Sequence, residues 1–311
     1  MRKTVGFVLL GLAGFLLTAA LLAQFYVPGQ VQKTPLDVDT TTRLSGTAAM
    51  LPSGSGSAVK AVRRSVADGE ASDDQVIVFD TFSCLITDPD GTAPDCVDDT
   101  DPDKRLVTAG TDRFATDRVT ATAVNEERYV GVGAEPHDGL VNKFPFDVQQ
   151  ETYPFWDGLV GRAVNAEFQG EEDIDGLRTY KFLVSLVDEP AEISNGVSGL
   201  YSTEKTMWVD QGTGSIIDQS EAQVRKLDDG TTVLDVELSF TDETVAESVE
   251  EAKANNSQLS LVARAPIVLG ILGVLALAGG LFLTLAGRSG TTTAPPGAGG
   301  TRSAKHTTTA G

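Results

Sequence analysis

The feature that constrains this chain most is an uncharged apolar run near its end, PIVLGILGVLALAGGLFLTLA at positions 266–286. At about 1.5 Å of rise per residue, such a run crosses a hydrocarbon core of about 30 Å. We therefore predict a transmembrane helix over 265–287. Basic residues but no acids follow it, which places the tail at 288–311 in the cytoplasm. The tail is rich in Gly, Thr and Pro and is predicted to be disordered.

A second apolar run covers positions 5–27 and follows Arg2 and Lys3. This charge order is typical of a signal peptide, but the run is longer than an h-region of about 7–15 residues and lacks a convincing cleavage site. We predict an uncleaved signal anchor with residues 1–4 in the cytoplasm; the alternative is a cleaved signal peptide. In either case the sequence predicts a plasma-membrane protein with residues 28–264 outside the cytoplasm.

The predicted extracytoplasmic segment is strongly acidic. It holds all 44 Asp and Glu of the chain and all but five of its 24 Lys and Arg, so its net charge is −25. Such a field disfavours nucleic acid and anionic phosphate surfaces as partners. The acidity indicates solubility or adaptation to a cation-rich wall, and a cationic ligand is the alternative.

The chain has two cysteines, Cys84 and Cys96, both in this segment. Outside the cytoplasm, a pair at this spacing is predicted to form a disulfide. Two cysteines without nearby histidines do not make a metal site, so no metal is predicted here.

The segment between the spans reads as mainly antiparallel β structure closed by a C-terminal helix. β-branched and apolar runs separated by acidic or Gly-bearing turns mark the strands. Strands are predicted at 74–87, 105–111, 117–124, 163–169, 177–187, 222–226 and 232–240. Turns are predicted at 171–176, 210–214 and 228–230, and a flexible turn at 52–57. Thr241 is predicted to cap a helix over 242–256, which a short polar joint connects to the second span, with Pro266 in the span's first turn.

The most informative stretch is an aromatic segment at 142–158, NKFPFDVQQETYPFWDG. Its prolines forbid a regular helix. The sequence leaves two interpretations open: the rings fill one end of the β core, or they line an apolar cavity or face the membrane. On the second interpretation the ligand-binding residues are Phe144, Phe146, Tyr153, Phe155 and Trp156.

No pattern indicates catalysis. The segment has one histidine, His137, and lacks both a G-x-S-x-G elbow and an H-E-x-x-H motif. Asp88 and Asp90, with a further alternating set at 99–103, supply hard oxygen atoms, but neither set completes a calcium loop. We therefore predict a protein that is not an enzyme and has no cofactor.

Several short motifs give the chain a resemblance to a known family. They are FYVP at 25–28, KFPF at 143–146, TYPFWD at 152–157, DGL at 175–177, YKF at 180–182, WVDQGTG at 208–214 and FTDETV at 240–245. In this order they resemble an actinobacterial family of two-span envelope proteins of unknown function, sometimes labelled the porin PorA family. The resemblance covers positions 1 to about 287 and implies no catalytic residues. The porin label conflicts with helical spans, because a β-barrel crosses a membrane with strands.

These observations favour a non-enzymatic envelope protein whose β domain binds or hands over an apolar or lipid ligand. The predicted partners are the membrane, an envelope lipid, and a membrane transporter or cell-wall assembly protein. The resemblance to a family found in lipid-rich envelopes implies the same function by analogy. One alternative is a structural scaffold or regulator of envelope assembly that acts through protein contacts, helped by small residues in the spans. A porin is a further alternative.

Overall fold

The computed structural model describes residues 2–50, 56–194 and 196–285. The chain divides into two compact units. The smaller is made of Met1–Tyr26 with Arg264–Gly311, and the larger, called the β unit below, is Val27–Ala263. The predicted disordered tail lies outside the described residues. So do the last two positions of the predicted second span and most of the flexible turn predicted at 52–57.

The described residues form four helices and ten strands. In chain order they are α1 (Arg2–Phe25), α2 (Pro28–Val31), β1 (Asp39–Met50), β2 (Gly56–Ala67), β3 (Val76–Thr87), β4 (Leu106–Asp117), α3 (Glu127–Val130), β5 (Tyr153–Asp157), β6 (Arg162–Ile174), β7 (Leu177–Ser194), β8 (Val197–Asp210), β9 (Ile216–Lys226), β10 (Thr232–Phe240) and α4 (Asp242–Leu285).

All ten strands belong to one antiparallel sheet with the order β4-β3-β2-β1-β10-β9-β8-β7-β6-β5. The prediction of mainly antiparallel β structure with a C-terminal helix is confirmed. Each strand pairs with its neighbours in sequence, except that β4 and β5 form the two edges of the sheet and β1 pairs with β10, which brings the first strand of the unit beside the last. This pairing places the start of α4 next to β1, where the hydroxyl of Thr244 donates to the carbonyl of Arg43 at 3.2 Å.

The two edge strands, β4 and β5, are connected through the chain between them. Isolated bridges pair Thr116 with Ala123, Thr122 with Leu140, and Leu140 with Phe155. Backbone hydrogen bonding therefore passes from one edge of the sheet to the other, and the sheet curls around an interior.

The hairpin between β6 and β7 forms where the sequence predicts it, but its turn is tighter. β6 runs to Ile174, and the turn is Asp175-Gly176 with φ of 50° and 78°. Two successive residues with positive φ make the turn that matches the twist of paired strands. The acidic residues before it lie in the strand and not in the turn.

The predicted strand at 117–124 is wrong. β4 ends at Asp117, whose carboxylate accepts hydrogen bonds from the backbone N–H groups of Val119 and Thr120 at 2.9 and 2.7 Å. An aspartate that satisfies the backbone two and three residues ahead turns the chain instead of extending it. Conversely, β2 is a full strand that the sequence analysis does not predict, and its first two positions fall in the predicted flexible turn.

The polar joint predicted after position 256 is also wrong, because α4 is continuous from Asp242 to Leu285. Thr241 caps it as predicted, accepting from the N–H of Thr244 at 3.3 Å. Pro266 lies inside the helix and not in a first turn. A proline at this place removes one backbone hydrogen bond and crowds the carbonyl four residues earlier.

In the smaller unit, α1 packs against the last part of α4. Both helices are long and apolar enough to cross a membrane, by length and composition. A methyl group added at Gly273 would meet Leu17 at 2.9 Å, and one added at Gly280 would meet Leu10 at 2.9 Å. Gly273 and Gly280 therefore permit close helix packing, whereas a Cβ added at Gly11 or Gly14 would meet no neighbouring atom of the described residues within 4 Å.

Candidate functional site

Three of the five predicted ligand-binding rings belong to the core of the larger unit. Phe144 lies 4.5 Å from Phe182 between ring centroids, 5.6 Å from Phe155 and 5.4 Å from Tyr153. Phe144, Tyr153 and Phe155 are all buried. These three rings therefore fill the β core, which is the first of the two interpretations of the aromatic segment.

The aromatic segment is held in place by the loop between β8 and β9. The N–H of Phe144 donates to the carbonyl of Gly214 at 2.8 Å. Gly214 has φ of +74°, and a Cβ there would collide with the carbonyl oxygens of Phe144 and Pro145. A glycine is required because only a residue without Cβ combines this backbone angle with so close an approach.

Trp156 belongs to a different buried group, around a histidine whose role the sequence does not reveal. The His137 ring lies 4.6 Å from Trp156 and 5.6 Å from Phe114. Its Nε2 is 3.0 Å from Asp112 Oδ2, and its Nδ1 is 3.1 Å from the carbonyl of Glu135. Both ring nitrogens have partners, so the ring is not bonded to a nucleophile.

Burial raises the pKa of the Asp112 carboxyl, but the hydrogen bond and charge of His137 outweigh burial and leave that pKa below its usual value. The charge of Arg63 acts in the same direction. Asp112 is therefore an anion that is hydrogen-bonded to His137 and is also stabilised by the charge of Arg63.

Phe146, the fifth predicted residue, lines a cavity of about 500 Å³ in the larger unit. The cavity lies between one face of the sheet and the first part of α4, and residues 31–38 and 142–146 complete its wall. Alternate residues of β1 (Thr40, Thr42 and Leu44) face it, as the two-residue period of a strand requires. The apolar part of the wall includes Leu44, Phe79, Phe146, Phe240, Leu259 and Val262.

The helix wall of the cavity follows helical spacing. Ser248, Ala252, Asn255, Leu259 and Val262 recur every three or four residues and so share one face of α4. This face includes Ala252, which together with Val249 is buried against the sheet. The same helix therefore covers the core and closes the cavity.

Two cations that have no ion-pair partner within the described part of the chain also line this cavity. Arg63 is an exposed residue whose side chain lines the cavity; desolvation by the surrounding protein lowers its pKa, with the charge of Asp112 opposing the shift. Burial lowers the pKa of Lys143 to about 8, against the charge of Asp210. The Lys143 ammonium lies 3.9 Å from the centroid of the Phe146 ring and 3.4 Å from Thr34 Oγ1.

A second group of polar side chains in the sheet is mutually satisfied. The hydroxyl of Tyr201 donates to Asp157 at 3.2 Å, Thr203 donates to Glu221 at 3.2 Å, and Lys205 pairs with Glu221 at 3.3 Å. Burial raises the pKa of Tyr201, which keeps its hydroxyl protonated as a donor. Because each of these groups has a partner, the group is structural.

The predicted disulfide between Cys84 and Cys96 is confirmed, with Cα atoms 5.9 Å apart. It attaches the middle of the acidic loop between β3 and β4, residues 88–105, to β3. In that loop Asp88 accepts from the N–H of Ala93 at 2.9 Å, and Asp101 pairs with Arg105. Both carboxylates therefore bond to groups between β3 and β4, one to a backbone N–H and the other to the Arg105 guanidinium.

Comparisons with known proteins agree with the resemblance drawn from the motifs. A family model described as Porin PorA matches residues 5–282. A protein described as Porin PorA from Corynebacterium amycolatum is 31% identical over 101 residues, which are 29% of this chain and 26% of that protein. Another of the same description, from Corynebacterium resistens, is 26% identical over 117 residues, 36% of this chain and 28% of that protein. The chain thus spans about a quarter of the length of these relatives.

Proposed function

The chain belongs to the porin PorA family, and from this premise we propose that it is a membrane-anchored envelope protein whose β unit binds an apolar or lipid ligand and hands it on. The observation that carries this proposal is the cavity of about 500 Å³ walled by Phe146, Phe240 and Leu259. Pockets that hold one small organic molecule have volumes of about 300–1,000 Å³ and largely apolar walls. A scaffold that acts through protein contacts alone has no use for such a space.

Two features support a position at the membrane. The helices α1 and α4 are apolar enough to span it, and small residues at Gly273 and Gly280 bring them together. Basic residues flank the second apolar run while the acids lie between the runs, which favours an extracytoplasmic β unit.

Photolabelling with an uncharged probe tests the proposal. The full chain in phosphatidylcholine nanodiscs is irradiated with a long-chain alcohol that carries a diazirine, and labelling of the β unit is quantified by mass spectrometry. We expect saturable labelling that Thr42→Trp reduces severalfold, because the indole would fill the cavity. Thr41→Trp is the matched control, since Thr41 lies on the opposite face of β1. Equal labelling of the two variants and the unaltered chain would refute ligand binding in the cavity.

The names of the relatives give a second candidate, a pore. The interior of the β unit offers this function less support, because the Phe144 and Phe182 rings pack there at 4.5 Å. The outward positions Asn165 and Glu167 of β6 are exposed and polar, whereas a lipid-facing strand is apolar. Conductance of planar bilayers containing the purified chain separates the two candidates. Discrete channel steps would favour the pore, and a flat trace accompanied by photolabelling would favour the ligand-binding protein.

A further inference from the structure

We propose that the cavity selects an amphiphile with an anionic head, a single-chain carboxylate whose oxygen atoms are held by Arg63 and Lys143. This inference rests on the proposed function and specifies the ligand for the same site. It concerns the chemistry of the head, which the apolar wall alone does not decide.

The placement of Arg63 is the first observation. Arg63 and Arg64 are successive residues of β2, so their side chains leave opposite faces of the sheet. Arg64 forms a two-pronged pair with Asp39, at 2.9 and 2.7 Å. Arg63 lines the cavity instead, and among the described residues no carboxylate lies within 4 Å of it. The chain thus pairs one arginine and leaves its neighbour, among the described residues, without an ion-pair partner in the cavity.

Lys143 repeats this arrangement on the other wall. Its contacts are the Phe146 ring and the hydroxyl of Thr34, and neither carries a formal charge. Buried polar groups are nearly always satisfied, and unpaired buried cations are costly. A bound oxyanion would supply the missing partner.

The charges around the cavity are complementary to an anion, although the chain as a whole is acidic with a net charge of −20. Of the charged lining residues, Lys33 is already paired with Asp74 at 2.9 Å. Glu251 of α4 is the one carboxylate in the described lining, and it is exposed. Arg63 and Lys143 therefore outnumber it. The acidic exterior also opposes non-specific adsorption of anions, which makes a local cationic site selective.

The shape of the lining favours a carboxylate with one acyl chain. A guanidinium binds a carboxylate through two parallel hydrogen bonds, and an ammonium adds a point charge. The apolar residues Phe240, Leu259 and Val262 supply a wall for the chain. A volume of about 500 Å³ suits one such molecule.

Competition against the diazirine alcohol tests the inference on the full chain in neutral nanodiscs at pH 7. Hexadecanoate, hexadecanol and hexadecyl phosphate serve as competitors. We expect hexadecanoate to displace the probe at a concentration about tenfold or more below that of hexadecanol, as for other charge-assisted hydrogen bonds. Arg63→Gln and Lys143→Gln should each remove most of this preference of acid over alcohol. Arg64→Gln, which removes the same charge from the outer face, should keep it.

The outcomes separate the two proposals. Equal displacement by acid and alcohol, or an equal loss of preference in Arg64→Gln, would overturn the anionic head and leave the proposed function standing. Stronger displacement by the phosphate than by the carboxylate would overturn the choice of carboxylate. If the diazirine alcohol gives no saturable labelling that any competitor displaces, the proposed function itself is refuted. The comparison of acid with alcohol needs no variant, so a variant that does not fold leaves the test intact.

Discussion

Asn256 of α4 donates a hydrogen bond of 2.7 Å to Asp210, a buried carboxylate at the end of β8. Asp210 also accepts from the N–H and the hydroxyl of Thr213, at 2.8 and 2.7 Å. The carboxylate thus organises the loop between β8 and β9 and attaches the helix to it. The same loop holds Phe144 through Gly214, so one buried acid connects the cavity's helix wall to the aromatic core.

Replacement of Asn256 should loosen this connection. Asn256→Ala removes one of three donors to a buried anion, which we expect to lower the free energy of unfolding by about 1–3 kcal/mol. Ser257→Ala, one position further along the helix, should change it by less than about 0.5 kcal/mol because that side chain is exposed. Urea unfolding of both variants in nanodiscs, followed by tryptophan fluorescence, measures the difference. Equal stability of the two would show that the bond contributes nothing.

Gly214 and Gly230 form a matched pair for backbone strain, since both have positive φ, +74° and +84°. At Gly230 a Cβ would meet nothing within 4 Å, so Gly230→Ala should cost only about 1 kcal/mol. At Gly214 the added carbon collides with two carbonyl oxygens, and Gly214→Ala should cost at least about 3 kcal/mol or prevent folding. Thermal unfolding of the two variants gives the comparison. Similar midpoints would contradict the tight approach of the aromatic segment.

Lys143 should make stability depend on alkaline pH. Its pKa is about 8 in the folded chain and 10.5 without burial, so between these values the unfolded chain binds more protons. The free energy of unfolding therefore rises with pH in this window, whereas the cost of the buried charge is fully present below pH 8. Lys143→Met should be more stable than the unaltered chain by about 1–3 kcal/mol at pH 7, after discounting for partial exposure. The gap should close towards pH 10.5.

Urea unfolding at several pH values measures this gap. A gap that stays constant from pH 7 to 10.5 would show that the ammonium is not desolvated. Arg64→Gln serves as the control, since Arg64 is exposed and paired outside the cavity and should show no such dependence.

The disulfide should stabilise the β unit measurably. Cys84 and Cys96 close a loop with a sequence separation of 12, for which loop entropy predicts about 3 kcal/mol. In a domain of this size each kcal/mol shifts the unfolding temperature by about 2–4 °C, so reduction should lower it by about 6–12 °C. A double variant, Cys84→Ser with Cys96→Ser, should lack any response to reductant. An unchanged midpoint after complete reduction of the unaltered chain would contradict this prediction.

Local patterns allowed much of the β unit to be predicted. The β-branched run of β3, the Asp175-Gly176 turn and the cap at Thr241 each depend on neighbours within a few residues. β2 was missed because Lys60, Arg63 and Arg64 interrupt its apolar alternation, although their long side chains are compatible with a strand. α4 continues through Pro266 because apolar residues on both sides favour the helix more than one lost hydrogen bond disfavours it.

The candidate site was harder to predict because its parts lie far apart in the chain. Phe146 was identified by aromatic density, which cannot distinguish a core ring such as Phe144 from a lining ring. Arg63 lies about eighty residues from Lys143, and Leu259 more than a hundred beyond it. Nothing local marks a basic residue as unpaired when the segment around it carries 44 acids. Only the pairing of β1 with β10 and the position of α4 bring these residues to one space.

The most direct test of the central claim is the position of the crosslink formed by a diazirine hexadecanoate on the full chain in nanodiscs. Peptide mapping by mass spectrometry should place the label in residues 142–146 and in the part of α4 around Leu259, with both signals lost in Thr42→Trp. Labelling confined to α1 and the end of α4, at the level found for any membrane helix, would contradict ligand binding in the cavity.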